Sequence, residues 1–333
     1  MSIRKVAAEA GVSPATVSRV FTQPEAVAAE TRRRVLAIAG ELQYTPHPVA
    51  RSLARGCTGN LGIVVPDIAN AFSALVTKAV QQEARRDGYA LFVAGSDEFA
   101  QDEVQWASAM APQVDGLLLV APLMPDDVLE ELAHQAPLVL VNRAFDGIAS
   151  VMTDATEAAG HAVEHLYALG HREIVYVAGP TGESNSMRLR GYRETCARLG
   201  VEPHELGPVK ARFSDGVRAA DLVLATSATA VLAYNDEVAV GIVNRLADRG
   251  VHVPTDISVV GFDDIPLAEM VTPRLTTVRL PMVEVGRAAA RLLVDAISGR
   301  GARRCGPLAL PAELVVRSST GPRGATRPGT DAP

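Results

Sequence analysis

Residues 6–20 read VAAEAGVSPATVSRV, and this stretch predicts two short helices joined by a tight glycine turn. Its small and branched residues recur at spacings that bury one face of each helix, namely Val6, Ala7, Ala10, Val12, Val17 and Val20. Gly11 lies where the first helix must turn sharply. Ser13 is placed to cap the second helix, and Pro14 suits its first position. The pattern is typical of a DNA-binding helix-turn-helix, although a hairpin that only packs on a larger domain shares the spacing.

The outer face of the second predicted helix carries the candidate DNA contacts. They are Ser13, Pro14, Ala15, Thr16, Ser18 and Arg19. Arg19 has the geometry for a bidentate contact to guanine in the major groove, or for a phosphate instead. Ala15 suits a thymine methyl group, whereas Thr16 and Ser18 suit phosphates.

The sequence then predicts a third helix and a hinge. Residues 31–44 have an apolar helical face, so three helices complete a small all-α headpiece over residues 1–45. Residues 46–58 form a proline-punctuated hinge and linker with one short helix. An isolated helix of that length is marginal in water, so we expect it to order only on a partner.

Charge is divided unevenly along the chain. The formal net charge is -6, yet residues 1–60 carry eight Lys or Arg against four Asp or Glu, which gives +4 there and -10 in the remainder. We expect phosphate attraction to come from the headpiece, with an affinity that depends steeply on salt.

From about residue 60, short apolar runs alternate with helical segments, which is typical of parallel α/β sheets. The first predicted series of strands is 61–65, 90–94, 116–121 and 138–141; the second is 174–178, the neighbourhood of Val209, 230–233 and 257–261. The helices between them are predicted at 72–86, 100–111, 126–134, 155–169, 186–199, 215–226 and 236–249. Two such units in tandem predict two doubly wound lobes with a cleft at the carboxyl ends of their strands.

Polar side chains follow these strands. They include Asp67, Asn142, Asn235, Asp236, Asp263 and Asp264. Helix capping and turn formation account for most Asn and Asp at such positions. For Asp236 and Asp264, a capping or turn role and a ligand-binding role therefore both stay open.

These motifs resemble the LacI/GalR family of bacterial transcription regulators over residues 3 to about 318. The resemblance rests on A-G-V-S-x-x-T-V-S-R-V from Ala10 to Val20, and on the segments 170–174, 234–236, 256–264 and 273–278. It implies a helix-turn-helix headpiece followed by two parallel-sheet lobes like those of periplasmic binding proteins. It places the first lobe at about 59–153 and 281–309 and the second at about 154–280 and 310–318. His171 is expected to have a structural role in a turn.

The resemblance also implies the binding residues. In the hinge, Ala50, Arg51 and Leu53 are expected in the DNA minor groove, where Leu53 wedges a base step apart. In the cleft, Arg188 is expected to hold effector oxygens beside Asn235 and Asp263. Other positions that face the cleft in relatives are Asn70, Phe72, Asn142, Asp154 and Phe213. Phe72 and Phe213 are placed either to stack on a sugar ring or to belong to the core.

The implied function is a sequence-specific transcriptional regulator, most simply a repressor, that binds a roughly palindromic DNA operator as a homodimer. A small polar effector between the lobes, a sugar or sugar phosphate with a nucleobase as the alternative, would change operator affinity through its differential affinity for two conformations. Two alternatives stay open at this point. The effector either releases the protein from DNA or strengthens its binding, and the protein either represses or activates transcription.

Other functional classes find little support in the sequence. There is no glycine-rich phosphate loop, no G-x-S-x-G serine motif and no metal-ligand cluster, so we expect no enzyme, cofactor or metal. A transport-type binding protein needs a secretion signal where this chain has the headpiece motif. We therefore expect a cytoplasmic protein with no membrane partner. Residues 319–333 lack apolar periodicity and a heptad pattern, so they predict a disordered tail and a dimer.

Overall fold

The computed structural model describes residues 2–22, 24–44, 57–300 and 306–324. The predicted hinge residues Ala50, Arg51 and Leu53 lie outside this part of the chain. Everything below concerns the described residues.

The N-terminal part is a three-helix headpiece, as expected. Its helices are α1 (Ile3–Ala10), α2 (Pro14–Thr22) and α3 (Ala29–Glu41). Gly11 ends α1 with φ 63°, a left-handed conformation that glycine adopts without a steric cost. Ser13 caps α2, because its Oγ accepts a hydrogen bond from the Thr16 backbone N–H at 3.1 Å. The buried core consists of Val6, Ala7, Ala10, Val17, Val20, Val35 and Ala39.

The first lobe is built on a six-stranded sheet in which every neighbouring pair is parallel. Its strands are β1 (Asn60–Val65), β2 (Ala90–Gly95), β3 (Gly116–Val120), β4 (Leu138–Val141), β5 (Ala149–Thr153) and β11 (Leu308–Leu310), in the order β11-β5-β4-β3-β1-β2. Its helices are α4 (Ala71–Arg86), α5 (Ala100–Met110), α6 (Asp126–Gln135) and α12 (Met282–Ile297). Central strands such as Gly116–Val120 are buried on both faces, which explains their unbroken apolar sequence.

The second lobe repeats this plan. Its strands are β6 (Ile174–Val177), β7 (His204–Leu206), β8 (Ala230–Ala233), β9 (Ser258–Asp263), β10 (Thr276–Arg279) and β12 (Glu313–Val315), in the order β12-β10-β9-β8-β6-β7. Its helices are α7 (Ala155–Ala168), α8 (Glu183–Leu199), α9 (Phe213–Leu224), α10 (Asp236–Asp248) and the short α11 (Leu267–Met270). The sheet is parallel except at its edge, where β12 runs antiparallel to β10.

The second predicted series of strands needs two corrections, because it omits β10 and β12 and one of its strands is displaced. The strand expected near Val209 is His204–Leu206 instead, and it ends before the Gly207–Pro208 pair. Proline has no N–H to donate to a sheet, so the apolar Val209 beyond it was a misleading marker.

The C-terminal segment is also different from the prediction. Residues 319–324, expected to be disordered, are docked on the second lobe. Ser319 is fully buried: its Oγ accepts a hydrogen bond from the Thr276 N–H at 2.7 Å and donates one to the Val259 carbonyl at 2.6 Å. Its own carbonyl accepts from the Val259 N–H at 2.8 Å. These bonds satisfy backbone groups of two neighbouring strands, which a reading based on composition does not detect. Residues 325–333 lie outside the described part.

His171 holds this segment in place. Its Nε2 lies 3.1 Å from the Gly321 carbonyl oxygen and 3.0 Å from Ser258 Oγ, while Nδ1 lies 3.0 Å from Thr229 Oγ1. Burial lowers the pKa of His171, so the ring is neutral at neutral pH. The side chain therefore joins three separate segments of the second lobe.

Helices α9 and α10 approach closely at glycines, and this contact carries a prediction. A Cβ at Gly241 would lie 2.2 Å from the Phe213 carbonyl oxygen, a backbone atom that cannot rotate away. We expect Gly241→Ala to lower the free energy of unfolding by about 1–3 kcal/mol through overpacking. The matched control is Gly40→Ala on α3, where the added Cβ meets nothing within 4 Å and alanine favours the helix by about 0.5–1 kcal/mol. Urea unfolding of both variants tests this, and equal effects would contradict the packing argument.

Candidate functional site

The exposed face of α2 is the first candidate site. Ser13, Pro14, Ala15 and Arg19 are exposed, whereas Thr16 and Ser18 are half-buried. The Thr16 hydroxyl lies 2.9 Å from Ser13 Oγ, so it is already engaged within the turn. Arg19 and Ala15, the two candidates for base contact, are therefore both accessible.

The second candidate site is a cleft between the lobes. It is lined from the first lobe by Pro66, Asp67, Asn70, Phe72, Ser73, Glu98, Ala121 and Asn142, and from the second by Ser184, Arg188, Ala211, Tyr234, Asn235 and Asp263. Most of these residues follow the carboxyl ends of strands, where ligands of open parallel sheets bind. The two sheets thus contribute to one polar site.

Six of the eight residues expected to bind an effector line this cleft. They are Asn70, Phe72, Asn142, Arg188, Asn235 and Asp263. Asp154 and Phe213 do not line it. Asp154 caps α7 through the Glu157 N–H and lies at a separate outer groove between α7 and α8. Phe213 begins α9 and is 42% exposed.

Arg188 is the buried cation of the cleft. Its Nη2 donates to Asp263 Oδ1 at 3.1 Å, and its Nη1 donates to the Tyr234 carbonyl oxygen. The guanidinium carbon also lies 4.4 Å from the ring centre of Tyr234 and 4.1 Å from that of Phe262. Its Nε is buried and has no hydrogen-bond partner among the described residues. Because a buried donor without a partner is costly, Nε is a natural contact for a ligand oxygen.

Asp263 is held under strain at the end of β9. Its φ is 110°, in the left-handed region that side chains rarely adopt, which is typical of residues fixed for binding. Burial raises the pKa of Asp263 to about 6, even though the neighbouring Arg188 lowers it. The carboxylate and guanidinium together offer a ligand fixed hydrogen-bonding groups.

The asparagines of the cleft also shape the backbone around it. Asn235 accepts from the Val238 N–H at 2.9 Å and so caps α10, while its Nδ2 donates to the Ala211 carbonyl. Asn142 accepts from both the backbone and the hydroxyl of Thr153. The capping interpretation of these strand-end residues is therefore compatible with a place in the cleft.

Asp236 has a structural role. It is fully buried and accepts from Thr277 Oγ1 at 2.5 Å and from the Ile265 N–H at 2.8 Å. Burial, followed by the nearby Asp263, raises the pKa of Asp236 well above its usual range. Its contacts join α10 to β10 and to the loop after β9, outside the cleft lining.

Direct contacts between the lobes close the mouth of the cleft. Arg212 donates to Asp67 at 3.0 Å, and Asn70 Nδ2 donates to Glu237 Oε1 at 3.2 Å. The remaining cavity measures about 60 Å³, whereas pockets for small molecules usually measure about 300–1,000 Å³. A ligand the size of a sugar therefore enters only when these contacts separate.

The sequence did not single out Glu98 and Ser184 as cleft residues. Glu98 follows β2 in the way that Asp67 follows β1, so the rule on strand ends would have found it. Ser184 lies in the first turn of α8, and no comparable signal marks it.

None of the helices described is long and apolar enough to cross a membrane. No group of three or more His, Cys, Asp or Glu in the described ranges is arranged to hold a metal ion.

Sequence comparison matches two families on this chain. Residues 2–47 match "Bacterial regulatory proteins, lacI family", and residues 163–320 match "Periplasmic binding protein-like domain". The HTH-type transcriptional regulator DegA of Bacillus subtilis is 34% identical over 335 residues, which cover 96% of this chain and 98% of DegA.

Solved structures of similar proteins agree with these family matches. A lac repressor dimer bound to operator and the anti-inducer ONPF has a TM-score of 0.85 at 27% identity, covering 96% of this chain and 99% of that one. A complex of the transcriptional regulator CelR with cellobiose has a TM-score of 0.71 at 30% identity, covering 96% and 99%. Both the headpiece and the lobes therefore have counterparts in proteins of known structure.

Proposed function

Because this chain belongs to the LacI family of bacterial regulatory proteins and is a transcriptional regulator of that family, we propose that it is a homodimeric repressor controlled by a small polar effector. The observation that carries the proposal is the buried Arg188–Asp263 pair, which lies with Asn235 in the cleft between the lobes. The named relatives are regulators, which supports a regulatory role and not an enzymatic one. We also propose a cytoplasmic location, where such a protein meets its DNA.

The DNA partner is proposed to be a double-stranded operator read by two headpieces. Arg19 and Ala15 would contact base edges, while Ser13, Pro14, Thr16 and Ser18 would fix the helix on the backbone. The hinge residues Ala50, Arg51 and Leu53 would add minor-groove contacts. The similar lac repressor dimer bound to operator supports this arrangement.

The effector is proposed to be a sugar or sugar phosphate. Arg188, Asp263, Asn70 and Asn235 present donors and acceptors to neighbouring hydroxyl groups, and Phe72 supplies an apolar surface for a ring. The structure of CelR with cellobiose supports a carbohydrate.

The mechanism we propose is linkage between lobe closure and DNA affinity. Arg212–Asp67 and Asn70–Glu237 join the lobes in the closed state and must separate for a ligand to enter. The effector shifts operator affinity only by its differential affinity for the open and closed conformations, and the operator shifts effector affinity by the same factor.

A fluorescence-anisotropy titration tests the proposed function. The full chain is titrated against the DNA upstream of its own coding region, alone and with each of a panel of sugars, sugar phosphates and nucleobases. Nanomolar binding shifted by one compound supports the proposal. Weak binding that depends on salt alone and responds to no compound contradicts it.

The dimer is proposed to use the exposed edge strand β2. Phe92 and Val93 are apolar but exposed, and an exposed apolar edge is a pairing surface. We expect Phe92→Glu to shift the protein from dimer to monomer in analytical ultracentrifugation and to weaken operator binding by at least about tenfold, because one headpiece is then lost. The control is Leu222→Glu. Leu222 is also apolar and exposed, but it lies on α9, so this variant should stay dimeric. An unchanged dimer in Phe92→Glu would place the interface elsewhere.

A further inference from the structure

The charged residues of the cleft are mostly acidic. Asp67, Glu98 and Asp263 line it, against the single cation Arg188. Two hydrogen bonds already commit the terminal nitrogens of Arg188 to Asp263 and to the Tyr234 carbonyl, which leaves Nε as its unpartnered donor. In the described part of the cleft, an anionic ligand therefore meets more repulsion than attraction.

The cation at the mouth of the cleft is paired with an acid, so opening the cleft frees both charges and leaves the charge balance unchanged. Arg212 lies at 3.0 Å from Asp67, whose other carboxylate oxygen accepts from the Ala69 N–H at 2.8 Å. A phosphate needs free donors such as Arg, Lys or a helix N-terminus aimed at it. The N-terminus of α4 is satisfied by Asn70, which accepts from the Phe72 and Ser73 N–H groups.

Glu98 differs from the other acids of the cleft. It has φ 65°, a left-handed conformation that fixes its direction after β2. Its Oε2 is buried and has no hydrogen-bond partner among the described residues. Burial raises the pKa of Glu98, which is the direction expected for a carboxylate short of donors.

A buried acceptor without a donor costs free energy unless a partner arrives. Glu98 lines the same cleft as Arg188 and Asn235. A ligand that brings an O–H or N–H donor to Glu98 Oε2 satisfies it, whereas a ligand that brings a phosphate adds a negative charge beside it.

Resting on the proposed function, we infer that Glu98 is a specificity residue that selects an effector without negative charge. The ligand class is a polyhydroxyl molecule that is neutral or carries an amino group, with a donor bonded to Glu98 Oε2. Within the proposed classes, this selects the free sugar over its phosphate.

Isothermal titration calorimetry on the full chain tests this inference with defined probes. They are the neutral sugars ribose, glucose and cellobiose, the amino sugar glucosamine, and the anions ribose 5-phosphate and glucose 6-phosphate. We expect a neutral or amino sugar to bind at least about tenfold more tightly than any phosphate, since the acids of the cleft lining outnumber its cation and repel a phosphate.

The matched variants are Glu98→Gln and Asp102→Asn. Gln keeps the shape of the side chain but removes the negative charge. Asp102 is an exposed carboxylate in the first turn of α5, outside the cleft lining. Glu98→Gln is expected to weaken the preferred sugar by about tenfold and to reduce the discrimination against phosphates, whereas Asp102→Asn leaves both unchanged.

Two outcomes overturn the inference alone: a phosphate that binds most tightly and shifts operator binding, or a Glu98→Gln variant that behaves like Asp102→Asn. In both cases the proposed function stands, because an effector still acts through the cleft. If none of the probes binds and operator binding responds to none, the proposed effector class fails and the inference fails with it.

Discussion

Replacing Arg188 with Met is expected to lower the free energy of unfolding by about 3–5 kcal/mol near pH 8, because it leaves the Asp263 carboxylate buried without its cation. Both side chains are less than a tenth exposed, so water does not replace the lost partner. The same variant should lose its response to any effector, since the guanidinium is the central donor of the cleft.

The size of this loss should depend on pH. The pKa of Asp263 is about 6 with Arg188 in place, against 3.8 for an ordinary Asp, and Arg188 is the charge that lowers it. Without Arg188 the pKa rises further, so the carboxyl becomes neutral over a wider range. A raised pKa in the folded state contributes stability at low pH that is lost as pH rises through it. The difference between the variant and the parent chain is therefore smaller near pH 5 and widens above pH 6, by at most about 1.4 kcal/mol per pH unit.

Urea unfolding at about pH 5 and pH 8 measures the effect. Asp263→Asn should cost less than Arg188→Met, because Arg188 keeps the Tyr234 carbonyl and two aromatic rings as partners. The surface control is Asp221→Asn, whose carboxylate pairs with Arg245 and Arg249 in solvent, where ion pairs contribute little to stability. An equal loss for Arg188→Met at both pH values would show that packing, not charge, is responsible.

Replacing Arg19 with Ala is expected to weaken binding to the operator by about 10–100-fold, the range for losing a bidentate contact to guanine. Arg19 is exposed on α2, so the headpiece core of Val17 and Val20 stays intact. Fluorescence anisotropy with the full chain and its own upstream DNA measures the change. The control is Arg34→Ala, an exposed arginine on α3 that lies outside the candidate contacts.

The pattern of the loss identifies the contact. If Arg19 contacts a base, the variant loses affinity for the operator and not for unrelated DNA, and its preference at one base pair relaxes. If Arg19 binds a phosphate, affinity falls evenly across sequences. The slope of log affinity against log salt concentration then becomes less steep by about 1. A variant with unchanged affinity and unchanged base preference would show that Arg19 does not contact the DNA.

Much of this fold was predictable from the sequence because its signals are local. The turn at Gly11, the cap by Ser13 and the apolar run at Leu117–Val120 each depend on adjacent residues. The fold class, with a headpiece and two parallel-sheet lobes, is confirmed by the similar solved structures.

What the sequence missed depends on contacts between distant segments. The edge strands Leu308–Leu310 and Glu313–Val315 are too short for a periodic signal, and they form only by pairing with other strands. The docking of Ser319 depends on backbone groups at Val259 and Thr276. Composition alone therefore predicted disorder for a segment that is ordered by its contacts with the second lobe.

The candidate site shows the same division. Asn142, Asn235 and Asp263 follow strands, so position in the sequence was enough to place them at the carboxyl edge. Asp154 also begins a helix after a strand, but it caps that helix outside the cleft. Whether such a residue faces the opposite lobe depends on how the two lobes pack together. Local sequence patterns do not predict this packing.

The discontinuous first lobe has a consequence for biosynthesis. Its sheet is completed by Leu308–Leu310, and its core is closed by the helix Met282–Ile297, where Leu293 packs at Gly116. Residues up to 153 therefore leave the ribosome without the helix that covers them. At about 5–20 residues per second, the nascent lobe waits roughly 7–30 seconds for residue 297. Its exposed strands are open to misassembly during that time, so a chaperone that shields nascent apolar segments should raise the yield of this chain.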